Sequence, residues 1–168
     1  MNTTNILINQ KSATLAIRFV VCLALVMIAP FFGNQLITGA IVNAVIIASV
    51  FLLSTRGAIL IAILPSSISL FFGLLPAVMA PMIPFIITGN IVLALVVNKF
   101  RDNYFTGGVL ASIAKAGFLF VISYIMFNYF LAGPGAKIAS SMMSYMQLLT
   151  ALLGMILAYP LVKIIDNK

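Results

Sequence analysis

Six apolar runs, separated by short polar or glycine- and proline-marked breaks, set the pattern of this chain. A crossing of the membrane takes ~20 apolar residues as helix, and these runs read as spans rather than as helices of a soluble core. Residues 1–11 are polar and read as a tail. The first run extends from about Ser12 to Ala29 and stops at Pro30. Gly33, Asn34 and Gly39 mark a short loop after it, so the second run is expected from Ala40 to Leu53. It is short for a full crossing, which puts part of the preceding loop at membrane depth. Ser54 to Gly57 turn the chain into a third run, Ala58 to Phe72, with Pro65 in its interior. A mid-helix proline removes a hydrogen bond and kinks the axis, and hydroxyls at Ser66, Ser67 and Ser69 are placed to satisfy freed backbone groups.

The stretch Leu75 to Asn90, LPAVMAPMIPFIITGN, carries Pro76, Pro81 and Pro84. Proline is tolerated in loops and in the first turn of a helix. The stretch therefore reads as a stiff outer loop leading into a fourth run, Pro81 to Val97, that takes Asn90 to mid-depth. A polar turn runs from Asn98 to Phe105. The fifth run is expected from Thr106, as its N-cap, to Leu131, and the sixth from Ile138 to Val162 after a turn at Gly133, Pro134 and Gly135. The expected fold is an all-α integral membrane protein, a single six-transmembrane-helix bundle.

Composition strengthens this reading. Of 168 residues 64% are hydrophobic and 7% charged, with a mean hydropathy of +1.26. Soluble domains carry about 25% charged residues, so a water-facing surface cannot be assembled from this pool. No cleavable signal pattern is expected: the first ten residues are polar and uncharged, and the apolar run after them is too long. With six spans, Lys11, Arg18, Arg56, Lys99, Arg101, Lys163 and Lys168 fall at one side and Lys137 alone at the other. Basic residues collect in cytoplasmic loops, so both termini are expected in the cytoplasm. The net charge of +7 is explained by that bias; no basic cluster with stacking aromatics points to nucleic acid. Cys22 is alone and reads as a small packing residue.

Absences narrow the chemistry. The chain has no His, no Trp and two acids, Asp102 and Asp166, both at helix ends. No intramembrane carboxylate relays protons, no ligand set holds a metal, no nucleophile has a base, and no phosphate-binding glycine loop is present. An enzyme is not expected, nor a cofactor; active transport would need energy from another subunit.

The candidate residues are polar groups at membrane depth. Lys115 lies about 13 Å along the fifth helix. Its position in the inner half favours snorkelling to the headgroups; the other reading turns it inward as a functional cation. Arg18 reads as snorkelling. Asn43, Asn90 and Asn128 each need hydrogen-bond partners in lipid. With Asn34, Gln35, Thr38 and Tyr124 they form the candidate solute-binding set, converging below the outer loops with Tyr129. Small residues at four-residue spacing, Ser12–Ala16, Ala40–Ala44–Ala48 and Thr150–Gly154–Ala158, permit close helix contact, internally or with another membrane protein.

The segments LITGAIVNAVIIASVFLLSTRGAILIAILPSSISLFFGLLP, APMIPFIITGN and SIAKAGFLF together resemble the substrate-binding S components of energy-coupling factor (ECF) vitamin transporters. The resemblance covers residues 12 to 165. It implies a solute held in the outer half of a six-helix bundle, in a bacterial cell membrane. It also implies docking onto a transmembrane coupling subunit driven by two ATPases, as in an ABC importer. Docking in that family uses small residues on the first span; here Ser12 and Ala16 stand there in a weaker Ser-x-x-x-Ala form, and Ala40, Ala44 and Ala48 are placed to share the role. No Trp serves a flat ring and no acid serves a cationic vitamin. A reachable Lys115 favours an anionic or carboxylate-bearing solute. The alternative is a structural or assembly protein that binds no solute.

Overall fold

The computed structural model describes residues 3–75, 77–130, 140 and 142–166. The described residues fold into helices α1 (Thr3–Ile28), α2 (Gln35–Leu52), α3 (Thr55–Phe71), α4 (Ile83–Lys99), α5 (Tyr104–Ile125) and α6 (Tyr145–Asp166). Short 3-10 segments at Ala29–Phe32 and Ala77–Met82 precede α2 and α4, and a π-turn at Met126–Phe130 extends α5. No strand occurs among the described residues. Five helical segments are long and apolar enough to cross a membrane: Gln10–Phe32, Gln35–Leu52, Ala77–Lys99, Tyr104–Phe130 and Tyr145–Ile165. The apolar α3 is shorter, at 17 residues. Ile17, Val20, Phe120, Val121, Ile156 and Ile164 point outward and are exposed, which suits a hydrocarbon surround.

Several boundaries differ from the sequence pattern, each for a local reason. The polar N-terminal stretch is helical from Thr3, so α1 begins nine residues before Ser12. The helix α2 begins at Gln35 rather than Ala40. Asn34 is its N-cap: the side-chain oxygen accepts hydrogen bonds from the N–H groups of Leu36 and Ile37 at 2.9 and 3.2 Å. Gln35, Thr38 and Gly39 are therefore helical, not loop. Ser54 caps α3 through Gly57. Asn103, not Thr106, caps α5, accepting from the Thr106 N–H. Pro84 occupies the first turn of α4, where its missing donor costs nothing. Pro76, the turn at Gly133 to Gly135, Lys137 and the expected start of the sixth run at Ile138 lie outside the described residues.

Side-chain contacts fix the directions of the helices. Thr38 donates to the carbonyl of Ala29, and Arg18 donates to that of Leu52, so α1 and α2 are antiparallel neighbours. Against α6, Gly39 faces Thr150 and Ala44 faces Gly154, so α2 and α6 run parallel. Tyr104 donates to the carbonyl of Met155 at 2.5 Å, which sets the start of α5 beside the second half of α6. The C-terminal ends of α2 and α4 and the start of α5 thus share one end of the bundle, here termed the basic end.

The last turn of α2 is held there by two cations. Arg18 reaches Leu52 at 3.2 Å, and Arg101 reaches the Phe51 carbonyl at 3.3 Å with its guanidinium 5.1 Å from the Phe51 ring centroid. These carbonyls have no partner within the helix, and a cation at a helix C-terminus also opposes the partial negative charge there. Arg18 therefore binds α2 and does not extend alone to the headgroups. Arg101→Ala removes the hydrogen bond and the ring contact together and is expected to lower stability by about 1 kcal/mol. Thermal unfolding in detergent micelles measures this, with Lys99→Ala, whose side chain makes only a ring contact at 5.9 Å, as the smaller-effect reference.

Candidate polar site in the bundle

At one level of the interior five helices bring polar groups together. Lys115 of α5 is 2% exposed. Its ammonium donates to the side-chain oxygens of Asn43 in α2 at 2.5 Å and Asn90 in α4 at 2.7 Å. Asn43 passes its own N–H to the Thr150 hydroxyl of α6 at 3.3 Å, and Thr150 donates to the Gln147 carbonyl. Asn90 donates to the Ala62 carbonyl of α3 at 3.1 Å. Lys115 thus faces the interior, and the snorkelling reading is wrong for it.

Local sequence explains why the groups meet. Lys115 shares the buried face of α5 with Ala111, Ser112 and Leu119. Gly89, beside Asn90, lets α4 approach that face: a Cβ there would sit 3.2 Å from Leu119. On α3, Pro65 has no N–H for the carbonyl of Ile61. The next carbonyl along, that of Ala62, is the one Asn90 uses. Ser67 and Ser69 donate to the carbonyls of Ile63 and Pro65, one turn back.

Among the described residues no acid compensates the charge at this level. Both acceptors of Lys115 are neutral amides. Asp102 is exposed in the turn between α4 and α5, and Asp166 is the last residue of α6. Hydrogen bonds to a charged group contribute about 1.5–3 kcal/mol each, but desolvating an ammonium costs several kcal/mol. Two amide oxygens also leave one of the three N–H donors of Lys115 without a partner among the described residues.

Lys115 also lines a cavity of about 80 Å3. Its wall includes Gln35, Thr38, Asn43, Asn90 and Lys115 from the candidate set, joined by Ser66, Ser69 and Gln147, which that set omits. Ser66 and the side-chain amide of Gln35 make no hydrogen bond within the described residues, and the Gln147 amide uses its N–H on the Met142 carbonyl, leaving its oxygen open. A lone amide in an otherwise apolar helix, three residues before Thr150, is the signal that would have marked Gln147.

No family model, curated protein or solved structure matches the chain.

Other members of the candidate set lie elsewhere. Asn34 is the cap of α2 and its oxygen is committed to the backbone. Tyr124 is 58% exposed, and Asn128 is exposed with its N–H on the Tyr124 carbonyl. Tyr129 is also exposed. These three face away from the cavity and do not converge on it. Ala40 and Ala48 are buried, and Gly154 packs against the backbone of Ala40 and Ala44, so the alanine ladder is covered by α6 of the same chain. Ser12 and Ala16 are exposed on α1 and line a shallow groove with Leu53, Ser54 and Gly57. Cys22 is buried and free. Among the described residues no cluster of His, Cys, Asp or Glu could hold a metal.

Proposed function

We propose that this chain is the solute-binding S component of an ECF-type importer. In this reading it is a six-span protein of a bacterial cell membrane with both termini cytoplasmic. It captures a small metabolite in its interior and hands it to a coupling subunit driven by two ATPases. The observation that carries the reading is Lys115: a fully buried cation, held by two neutral amides from two other helices, with a spare donor and a place on the wall of a polar cavity. Intramembrane ionisable groups mark solute or ion sites, and a pocket with a few directed polar groups is what small-molecule binding uses. The directions of α2, α4 and α6, all toward the basic end, support the six-span topology and its orientation. The resemblance of the three quoted segments supports the transporter class, and exposed Ser12 and Ala16 are available for docking.

The test is co-expression with a coupling subunit and its ATPases, then gentle purification and native mass spectrometry. A stoichiometric complex and a retained small molecule are expected. A chain that purifies alone and carries no metabolite would instead favour the assembly protein, for which substitution at Lys115 would leave function intact once folding is preserved.

A further inference from the structure

We propose that the cavity takes a compact monoanionic carboxylate. Its carboxylate would meet Lys115, and a neutral hydroxyl or amide group would meet Gln35 and Gln147. The assignment rests on the solute-binding reading above and names the class of solute.

Charge comes first. Among the described residues one ammonium borders the cavity and no acid does. A monoanion cancels the buried charge; a dianion would leave one negative charge in a low-dielectric interior, which costs as much as the cation it was meant to relieve. A zwitterion fares no better, because its ammonium would enter a wall that already holds a cation and offers no carboxylate. Amino acids are excluded on that ground, although they match in size.

Hydrogen bonding comes second. Donors on the wall from which a carboxylate can accept include the third N–H of Lys115 and the hydroxyl of Ser66. The Gln147 oxygen and the Gln35 amide remain, one an open acceptor and the other both donor and acceptor. They suit a hydroxyl or amide on the ligand. An unsubstituted hydrocarbon would leave them without partners, at a cost comparable to a lost hydrogen bond.

Size comes third. At about 10–15 Å3 of such space per water-sized atom, about 80 Å3 holds roughly five to eight heavy atoms. A short hydroxy-carboxylate fits within that. A vitamin of twice the size does not, unless Leu75 and Met143 on the wall move aside.

The full chain reconstituted in nanodiscs and titrated calorimetrically with four probes tests this. L-Lactate is the compact hydroxylated monoanion. L-Alanine keeps its skeleton and substitutes an ammonium, succinate adds a second charge, and pantothenate is a larger monoanion. Lactate is expected to bind at least about tenfold more tightly than the other three. Lys115→Gln keeps a donor for the amide oxygens but loses the charge; it is expected to lose lactate binding while retaining its helical circular dichroism. Ser66→Ala leaves the Lys115 contacts untouched and is expected to weaken lactate several-fold, which serves if Lys115→Gln does not fold.

Alanine or succinate binding as well as lactate, or lactate binding unchanged in Lys115→Gln, overturns the assignment. Binding of pantothenate alone overturns it while leaving the solute-binding reading in place. If none of the four binds, native mass spectrometry of the wild type decides. A retained compact monoanion supports the assignment, and any other retained molecule overturns the class alone. No retained molecule overturns both.

Discussion

Asn43→Leu is expected to destabilise the folded protein by about 3 kcal/mol, and adding Lys115→Met to it is expected to restore a large part of that loss. The single substitution takes one of two acceptors from a fully buried ammonium and also removes the hydrogen bond that the Thr150 hydroxyl accepts, although that hydroxyl keeps its bond to the Gln147 carbonyl. Removing one side of a buried charged interaction costs about 3–5 kcal/mol, because the remaining charge is left without compensation. Leucine fills similar space, so the effect is electrostatic and not a cavity. Once Lys115 is methionine, no ammonium remains to be stranded, and replacing both partners by apolar groups is close to neutral. Unfolding of the four proteins of this cycle, by guanidinium in mixed micelles, gives the coupling energy directly. Losses that simply add would mean that Lys115 does not contact Asn43 and reaches toward the headgroups instead.

The second large effect is expected at Gly154. Alanine is the better helix former by about 1 kcal/mol, so on an open helix face the change stabilises. At Gly154 a Cβ would lie 2.6 Å from the Asn43 Cβ, 2.8 Å from the Ala44 nitrogen and 3.0 Å from the Ala40 carbonyl oxygen. Two of these three atoms are backbone and cannot rotate away, so α6 must back off along its contact with α2. Overpacking of this kind costs about 1–3 kcal/mol, which outweighs the propensity gain. Gly154→Ala is therefore expected to destabilise, and Gly154→Val to do so further. Gly117→Ala, where a Cβ would meet nothing within 4 Å, is expected to stabilise by about 0.5–1 kcal/mol. Opposite signs for the two alanine variants in the same melt identify close packing as the cause.

The apolar runs make the helices legible because each is long and unbroken. Helix starts are less so. Asn34 and Asn103 look like loop residues in composition, yet each begins a helix by capping it. The N-terminal polar stretch lacks an apolar face and still continues α1. For the site, depth along a run is readable and direction is not. Height alone groups Tyr124 and Asn128 with the other polar residues. At 100° per residue, Tyr124 stands about 180° around α5 from Lys115, so the two cannot share a pocket. The same arithmetic places Leu119 and Ser112 beside Lys115, where they are buried. Which faces of α4 and α5, and of α2 and α6, meet is decided by Gly89 and Gly154, whose lack of a side chain sets how close the helices come. That is tertiary information, and a single glycine in an apolar run does not announce it.

Met79, Met82 and Met143 give the bundle one further property. They are fully buried together where the Ala77–Met82 segment meets the approach to α6, with Phe85, Ile86 and Ile122 around them. Thioether chains have three rotatable bonds and no branching at Cβ, and they repack with little loss of contact. Nothing directional joins these three side chains. Such a seam answers a push from outside by changing rotamers, on timescales set by torsional hops, whereas the helix contacts at Asn43 and Gly154 must break before they move. The molecule therefore combines a stiff floor with a compliant rim, and its response to a change in lateral membrane pressure should appear first at the rim.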